Sequence, residues 1–162
     1  DPVMVTTSGD KLITDDAIVG LKEFLPMASL ITPNMAEAEL LLAHKIDIKD
    51  KEITAIKIGK SYKTSVLLKG KRIDDKATVI TDVLYLYETN KTIFITNPFI
   101  YTNNTHGTGC SLSSSIATFL SLGNDLEVAV KKGCNYVNTA ILQGENKSLG
   151  EGNIIVQCTL SI

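Results

Sequence analysis

Residues Thr105 to Gly123 read THGTGCSLSSSIATFLSLG, and this stretch decides how the rest of the chain is understood. A glycine-rich turn (His106, Gly107, Thr108, Gly109) leads into Cys110. Beyond it Leu112, Ile116, Phe119 and Leu120 recur at three- and four-residue steps. That period is helical and places one face in a core. Gly123 follows where a left-handed stop is expected. The first turn of a helix carries amides with no partner inside the helix, and the macrodipole adds partial positive charge there. Glycines on the approach let a ligand reach those amides without meeting a Cβ. The arrangement suits an anion, phosphate above all, and the same field favours the thiolate form of a cysteine placed there. The bland alternative is a packing turn with an inert buried cysteine behind it, and spacing alone leaves both readings open.

Outward from this helix, strands and helices alternate. Asp1–Val5 reads as the end of a buried strand, followed by a polar loop at 6–10. Thr14 or Asp15 can cap a helix carrying Ile18, Leu21 and Leu25, which Pro26 ends. A short strand at Ser29–Thr32 turns through Pro33 and Asn34 into a helix with Leu40, Leu41 and Leu42. Asp50–Ile58 predicts a third helix with Ile53 and Ile56 inward and Gly59 as its stop, then a strand at Ser65–Leu68. Thr78–Tyr87 and Thr92–Thr96 flank Glu88-Thr89-Asn90-Lys91 and predict an antiparallel hairpin, with Tyr85, Tyr87, Phe94 and Asp82 serving its core and surface. After the central helix, Asp125 opens another bearing Leu126, Val130, Val137 and Ile141, and Ile154–Leu160 closes as a strand. The pattern implies an α/β fold, a mostly parallel sheet with helices on both faces and an antiparallel hairpin at one edge. Ligand sites in such sheets lie beyond the carboxyl ends of the strands. The Asn34/Glu37 turn, Lys69 and the Gly107 loop all follow short apolar runs and are expected to converge there.

With 162 residues the chain is expected to be a single domain, 1–162, with a real core. Its 44% hydrophobic and 21% charged residues are ordinary for a globular protein. A net charge of −2 gives no basic footprint, so nucleic acid and anionic membranes are poor partners. No apolar run approaches bilayer length and no signal pattern opens the chain, so the expected location is cytoplasmic. Three cysteines without a C-x-x-C argue against a disulfide framework or a zinc site. Cys134 and Cys158 are read as inert, and His44 as surface.

HGTGC (His106–Cys110) before a small-residue helix resembles the anion-hole motif of the hydroxymethylpyrimidine and phosphomethylpyrimidine kinases of thiamine biosynthesis, in the ribokinase-like superfamily. DPVM (Asp1–Met4), TPNMAEAELLL from Thr32, VLLKG (Val66–Gly70) and LGEG (Leu149–Gly152) agree with it in order. The resemblance covers the C-terminal part of such an enzyme, which implies a ribokinase-like fold truncated at the N-terminus. It implies ATP-dependent phosphorylation of hydroxymethylpyrimidine, its monophosphate or both, with ATP and Mg2+ as cofactors and a small heteroaromatic alcohol as substrate. Pyridoxal or pyridoxine kinase is the enzymatic alternative. A reading of another class is a truncated, non-catalytic nucleotide-binding half that needs a separate N-terminal half or associates with a second copy. A cysteine hydrolase is disfavoured, because no second histidine or matching acid is placed for a triad.

The resemblance also implies roles. Cys110 takes the position of the base, where most sugar kinases of the superfamily carry aspartate. Phosphoryl transfer is mostly positioning and charge neutralisation, so a modest base suffices. Gly107, Thr108 and Gly109 form the anion hole for the transferring phosphoryl group. His106 borders the nucleotide. Asn34 and Glu37 form N-x-x-E, which in the family organises magnesium and phosphate, but the same spacing is a capping box with asparagine at its head. Asn34 and Lys69 are assigned to nucleotide binding, and Glu37 and Asp1 to the metal, Glu37 through water at least as readily as directly. Lys69 neutralises phosphate or extends into water. Where the family usually has VLVKGGH, Lys71 and Arg72 replace the second glycine and the histidine.

Overall fold

A computed structural model describes residues 1–5 and 11–147. The polar loop expected at 6–10, the LGEG segment, the strand expected at Ile154–Leu160 and Cys158 lie outside these residues. The chain divides into two compact units, one formed by Asp1–Asp75 with Ile80–Thr96, the other by Lys76–Val79 with the chain from Asn97 onward.

In the first unit, Thr14 caps α1 (Asp15–Phe24) by accepting the Ala17 N–H. Pro26 converts the helix end into a single 3-10 turn, Leu25–Met27. β1 (Leu30–Ile31) runs into α2 (Met35–Leu42), and α3 (Lys51–Tyr62) returns the chain to β2 (Ser65–Leu68). β1 and β2 are parallel, with Leu30 opposite Ser65, so this helical connection supplies the crossover a parallel pair requires. All four residues of β2 are buried, as in a strand covered on both faces. β3 (Val79–Leu86) pairs antiparallel with β2 and leads into β4 (Lys91–Pro98), giving the order β1-β2-β3-β4. Asn90, at φ 52°, takes the left-handed turn position that asparagine tolerates. The expected hairpin therefore occupies one edge of a sheet that is mixed among the described residues. Met4, Ile18, Leu25, Ile31, Ala38, Ile58, Val66, Leu68, Val83 and Tyr85 form its core.

Three local expectations are corrected. Asp1–Val5 forms no strand; Val5 makes a single antiparallel bridge to Lys11, while Met4 is buried in the core. Gly59 does not stop α3, which continues to Tyr62 and ends on Lys63 in a left-handed conformation. Gly59 is instead a packing position, because an added Cβ would lie 2.3 Å from the Tyr85 ring. The buried face of α3 is accordingly Thr54, Ala55, Ile58 and Gly59, and Ile53 points outward. Tertiary contact with the hairpin outweighs the glycine's weak helix propensity.

In the second unit, α4 (Thr108–Ser121) packs on α5 (Leu126–Gly144). Leu112, Ser115 and Ile116 are the buried residues of α4; Phe119 and Leu120 are half-buried. A Cβ on Gly133 of α5 would come 2.6 Å from Ile116 Cγ1, so the helices meet closely there. Gly123, at φ 84°, makes the expected left-handed exit. Asp125 caps α5 by accepting the Val128 N–H at 2.8 Å. Among the described residues no helix is long and apolar enough to cross a membrane.

Gly59→Ala should lower stability by about 1–3 kcal/mol through overpacking. Gly20→Ala in α1, where nothing lies within 4 Å, should raise it by up to ~1 kcal/mol; urea unfolding of both variants checks the contrast. Burial raises the Tyr62 and Tyr85 phenols above their ordinary value, Tyr85 with a further contribution from Tyr87. Their neutral forms are favoured in the folded state, so this contribution is intact below pH ~10 and lost as pH rises beyond it. Stability against pH should therefore fall on the alkaline side, and Tyr85→Phe should flatten that fall.

Candidate functional site

In the first unit, four of the residues singled out from sequence come together beyond the carboxyl ends of β1 and β2. Asn34 follows β1 and Lys69 follows β2 directly. The Lys69 amide donates to Pro33 O at 2.9 Å, which joins the two strand exits. Asn34 and Glu37 make a complete capping box on α2: Asn34 Oδ1 accepts the Glu37 N–H at 2.9 Å and Glu37 Oε2 accepts the Asn34 N–H at 2.8 Å. Glu37 Oε1 also accepts the Met4 N–H at 3.0 Å, a bond that spans 33 positions of sequence. Glu37 has 2% of its surface exposed. Asp1 Oδ1 lies 3.1 Å from Lys69 Nζ and accepts the Thr32 hydroxyl at 3.2 Å. Lys69 thus meets a carboxylate rather than simply extending into water.

These donor sets bear on the expected Mg2+. Among the described residues no three His, Cys, Asp or Glu side chains cluster as a metal site. Both Glu37 oxygens accept backbone amides, and the Asp1 charge is balanced by Lys69. Glu37, 2% exposed and turned onto two backbone amides, does not fit a cation held directly, and the Asp1 carboxylate is already paired with Lys69.

In the second unit, His106, Gly107, Thr108, Gly109 and Cys110 form the entry to α4. Gly107 sits at the N-cap with φ 80°, a conformation glycine adopts without steric cost. Its carbonyl accepts the Ser111 N–H at 2.9 Å. No side chain caps this helix, whereas Thr14, Asn34 and Asp125 cap α1, α2 and α5. The amides of the first turn, Gly109 and Cys110 among them, have no intrahelical acceptor. Cys110 is exposed and Cys134 is buried. His106 is exposed beside the turn, and His44 is exposed at the far end of α2.

Sequence reasoning missed several residues that hold these loops. Asp82 Oδ1 accepts the Gly70 N–H at 2.7 Å, fastening the chain after Lys69 to β3. An added Cβ on Gly70 would meet Thr81 O at 2.3 Å, so the close approach of these backbones requires glycine. Asn104 Nδ2 donates to Gly144 O and to Lys147 O, each at 2.9 Å, and the Thr102 hydroxyl donates to Glu145 O at 3.1 Å. The segment before the glycine turn thereby satisfies carbonyls at the end of α5 that have no helical partner. Polar residues in a short Asn-rich loop are the only signal that could have pointed to it.

A family model for phosphomethylpyrimidine kinase matches residues 1–157. A hydroxymethylpyrimidine/phosphomethylpyrimidine kinase of Rhizobium meliloti is 37% identical over 155 residues, covering 94% of this chain and 57% of that protein. One from Saccharomyces cerevisiae is 38% identical over 152 residues, covering 89% of this chain and 28% of that protein. The chain thus spans little more than half, or less, of the length of these relatives. An ADP complex of Bacillus subtilis pyridoxal kinase is similar in structure, with TM-score 0.77 and 27% identity, covering 96% of this chain and 57% of that one. Staphylococcus aureus pyridoxal kinase in complex with AMP-PCP and pyridoxal shares the fold at TM-score 0.79 and 23% identity, covering 98% of this chain and 55% of that one.

Asn104→Ala should cost about 1 kcal/mol. It should also speed hydrogen exchange in the 102–109 loop while leaving the middle of α4 protected; exchange measured by NMR checks both.

Proposed function

The chain belongs to the phosphomethylpyrimidine kinase family, and from that premise we propose that it is the phosphoryl-transfer part of an ATP-dependent kinase. Its proposed acceptors are hydroxymethylpyrimidine and the monophosphate of that alcohol. The observation that carries the reading is the start of α4, where uncapped first-turn amides follow a left-handed glycine and stand beside an exposed cysteine. Gly107 and Gly109 would direct amides at the transferring γ-phosphoryl group, where negative charge accumulates in the transition state; Thr108, whose amide donates to Thr105 O at 3.4 Å, would join them by exchanging that long bond for the phosphoryl oxygen. With the alcohol acceptor, Cys110 would take the proton of the attacking oxygen while that oxygen bonds to phosphorus and the bond to the ADP oxygen breaks. In the first unit Asn34 and Lys69 are proposed to contact nucleotide, Lys69 as a point charge; in the second unit His106 is proposed to contact nucleotide as well. Mg2+, when bound with the triphosphate, would neutralise phosphate charge.

Pyridoxal is the second acceptor to test, favoured by the structural likeness to Bacillus subtilis pyridoxal kinase. A further reading to test is nucleotide binding without turnover unless a separate N-terminal half or a second copy is present.

ATP consumption should be measured with hydroxymethylpyrimidine, its monophosphate and pyridoxal in turn. The chain is assayed alone and then with a supplied N-terminal half. Turnover with the pyrimidines supports the reading; turnover with pyridoxal alone replaces it. In the active form Cys110→Ala should lower kcat by about 100-fold or more with little change in nucleotide affinity. Gly109→Val should weaken ATP binding by roughly tenfold, because its side chain obstructs the amide cradle. Calorimetric titration with AMP-PCP separates the two effects, and unchanged affinity in Gly109→Val would sink the cradle.

A further inference from the structure

We propose that Glu37 is a positioning residue and not a metal ligand: it clamps Met4 and Asn34, and thereby sets Asp1 against Lys69. The assignment of Lys69 to the nucleotide rests on the kinase reading; the clamp does not.

Each Glu37 oxygen has a backbone donor, Met4 N–H on Oε1 at 3.0 Å and Asn34 N–H on Oε2 at 2.8 Å. Met4 is fully buried, so its amide has no water to turn to, and leaving it unpaired carries the full desolvation penalty. With Glu37 only 2% exposed, a cation reaching its remaining lone pairs would have to enter the core or draw the carboxylate off these amides.

The clamp also explains an otherwise unfavourable backbone. Val3 has φ 48°, a left-handed conformation that a β-branched residue adopts only under constraint. The constraint is present on both sides. Met4 is held through its N–H by Glu37 and through its C=O by the Leu12 amide at 2.9 Å. Asp1 is held by the Thr32 hydroxyl and Lys69 Nζ. The turn at Val3 brings the chain from the buried Met4 to the strand exits, where the Asp1 side chain is 9% exposed and the Lys69 side chain 19%. A long lysine side chain loses considerable rotamer freedom when ordered. Asp1 holds the ammonium in one place before any phosphate arrives, and Glu37 holds Asp1.

The test compares the wild-type chain with Glu37→Gln, which keeps the shape but offers one acceptor oxygen and an NH2 group that faces an N–H. The Met4 amide should exchange about 100-fold more slowly than in an unstructured peptide, and should stay protected when Mg2+ and AMP-PCP are added. Glu37→Gln should abolish most of that protection while the Val66 and Leu67 amides stay protected. In the active form the same variant should raise KM for ATP by about tenfold, with kcat changed less than threefold and the half-activating Mg2+ concentration unchanged. Two results would overturn the clamp. One is faster Met4 exchange in the wild type on adding Mg2+. The other is a Glu37→Gln protein with Met4 still protected but a half-activating Mg2+ concentration raised tenfold. If no acceptor is turned over, the kinase reading fails and the exchange rates still decide the clamp. If Glu37→Gln does not fold, the wild-type comparison with and without Mg2+ decides it.

Discussion

A carboxylate taken out of water has to find donors inside the protein, and Glu37 finds two main-chain amides that themselves lack water. Much of the first unit's strand-exit geometry depends on that exchange. The Asn34 amide precedes a helix whose first turn has no internal acceptors, and the Met4 amide belongs to a segment that joins no strand. One side chain therefore closes two separate deficits in main-chain hydrogen bonding. It also fixes where the chain before Met4 can go, because a residue held at both its N–H and its C=O cannot rotate away.

The second unit treats the same deficit in the opposite manner. Its long helices begin differently: Asp125 caps α5, while Gly107 offers α4 no side chain at all. The polar side chains nearby are directed elsewhere, Asn104 and Thr102 toward the carbonyls that end α5. The loop before α4 is anchored from behind, and the donors in front of it meet no side-chain cap. An anion site needs both properties, since donors on a wandering loop would lose in ordering what they gain in contact. Local glycine conformation supplies the access, and packing of Gly133 on Ile116 seats the helix that carries it.

What the sequence reveals and what it hides divides along range. Thr14, Asn34, Asp125 and Gly123 were legible because caps and left-handed stops act within four residues. The hairpin was legible from its β-branched and aromatic runs, and the entry to α4 from its glycines. Gly59 was misread because its meaning lies with Tyr85, 26 positions later, which occupies the space where a Cβ would stand. Ile53 was misassigned for the same reason, since the position of Tyr85 and β2 selects which face of α3 is buried. Asp82 was read as hairpin core or surface, and no local rule could show that it accepts the Gly70 amide. Asn34 and Glu37 were legible as a capping box, but the bond from Glu37 to Met4 was not.

The motifs that look scattered in sequence are one set of hydrogen bonds in the first unit. Asp1 meets Thr32, Met4 meets Glu37, the Lys69 amide meets Pro33 O, and the Gly70 amide meets Asp82. Three of these four links use main chain on at least one side, so they depend on where the backbone runs more than on which side chains surround it. That accounts for a departure that is hard to place from sequence alone. Lys71 and Arg72 stand where the family usually has glycine and histidine, yet they follow Gly70, whose amide is fastened to Asp82. Arg72 turns to its own loop, pairing with Asp75 at 3.4 Å and with Asp74 O at 3.1 Å. The loop can change in charge and bulk beyond Gly70 while Lys69 keeps its bonds to Asp1 and to Pro33 O, and its neighbour Gly70 keeps its bond to Asp82, because all of these partners lie outside that loop.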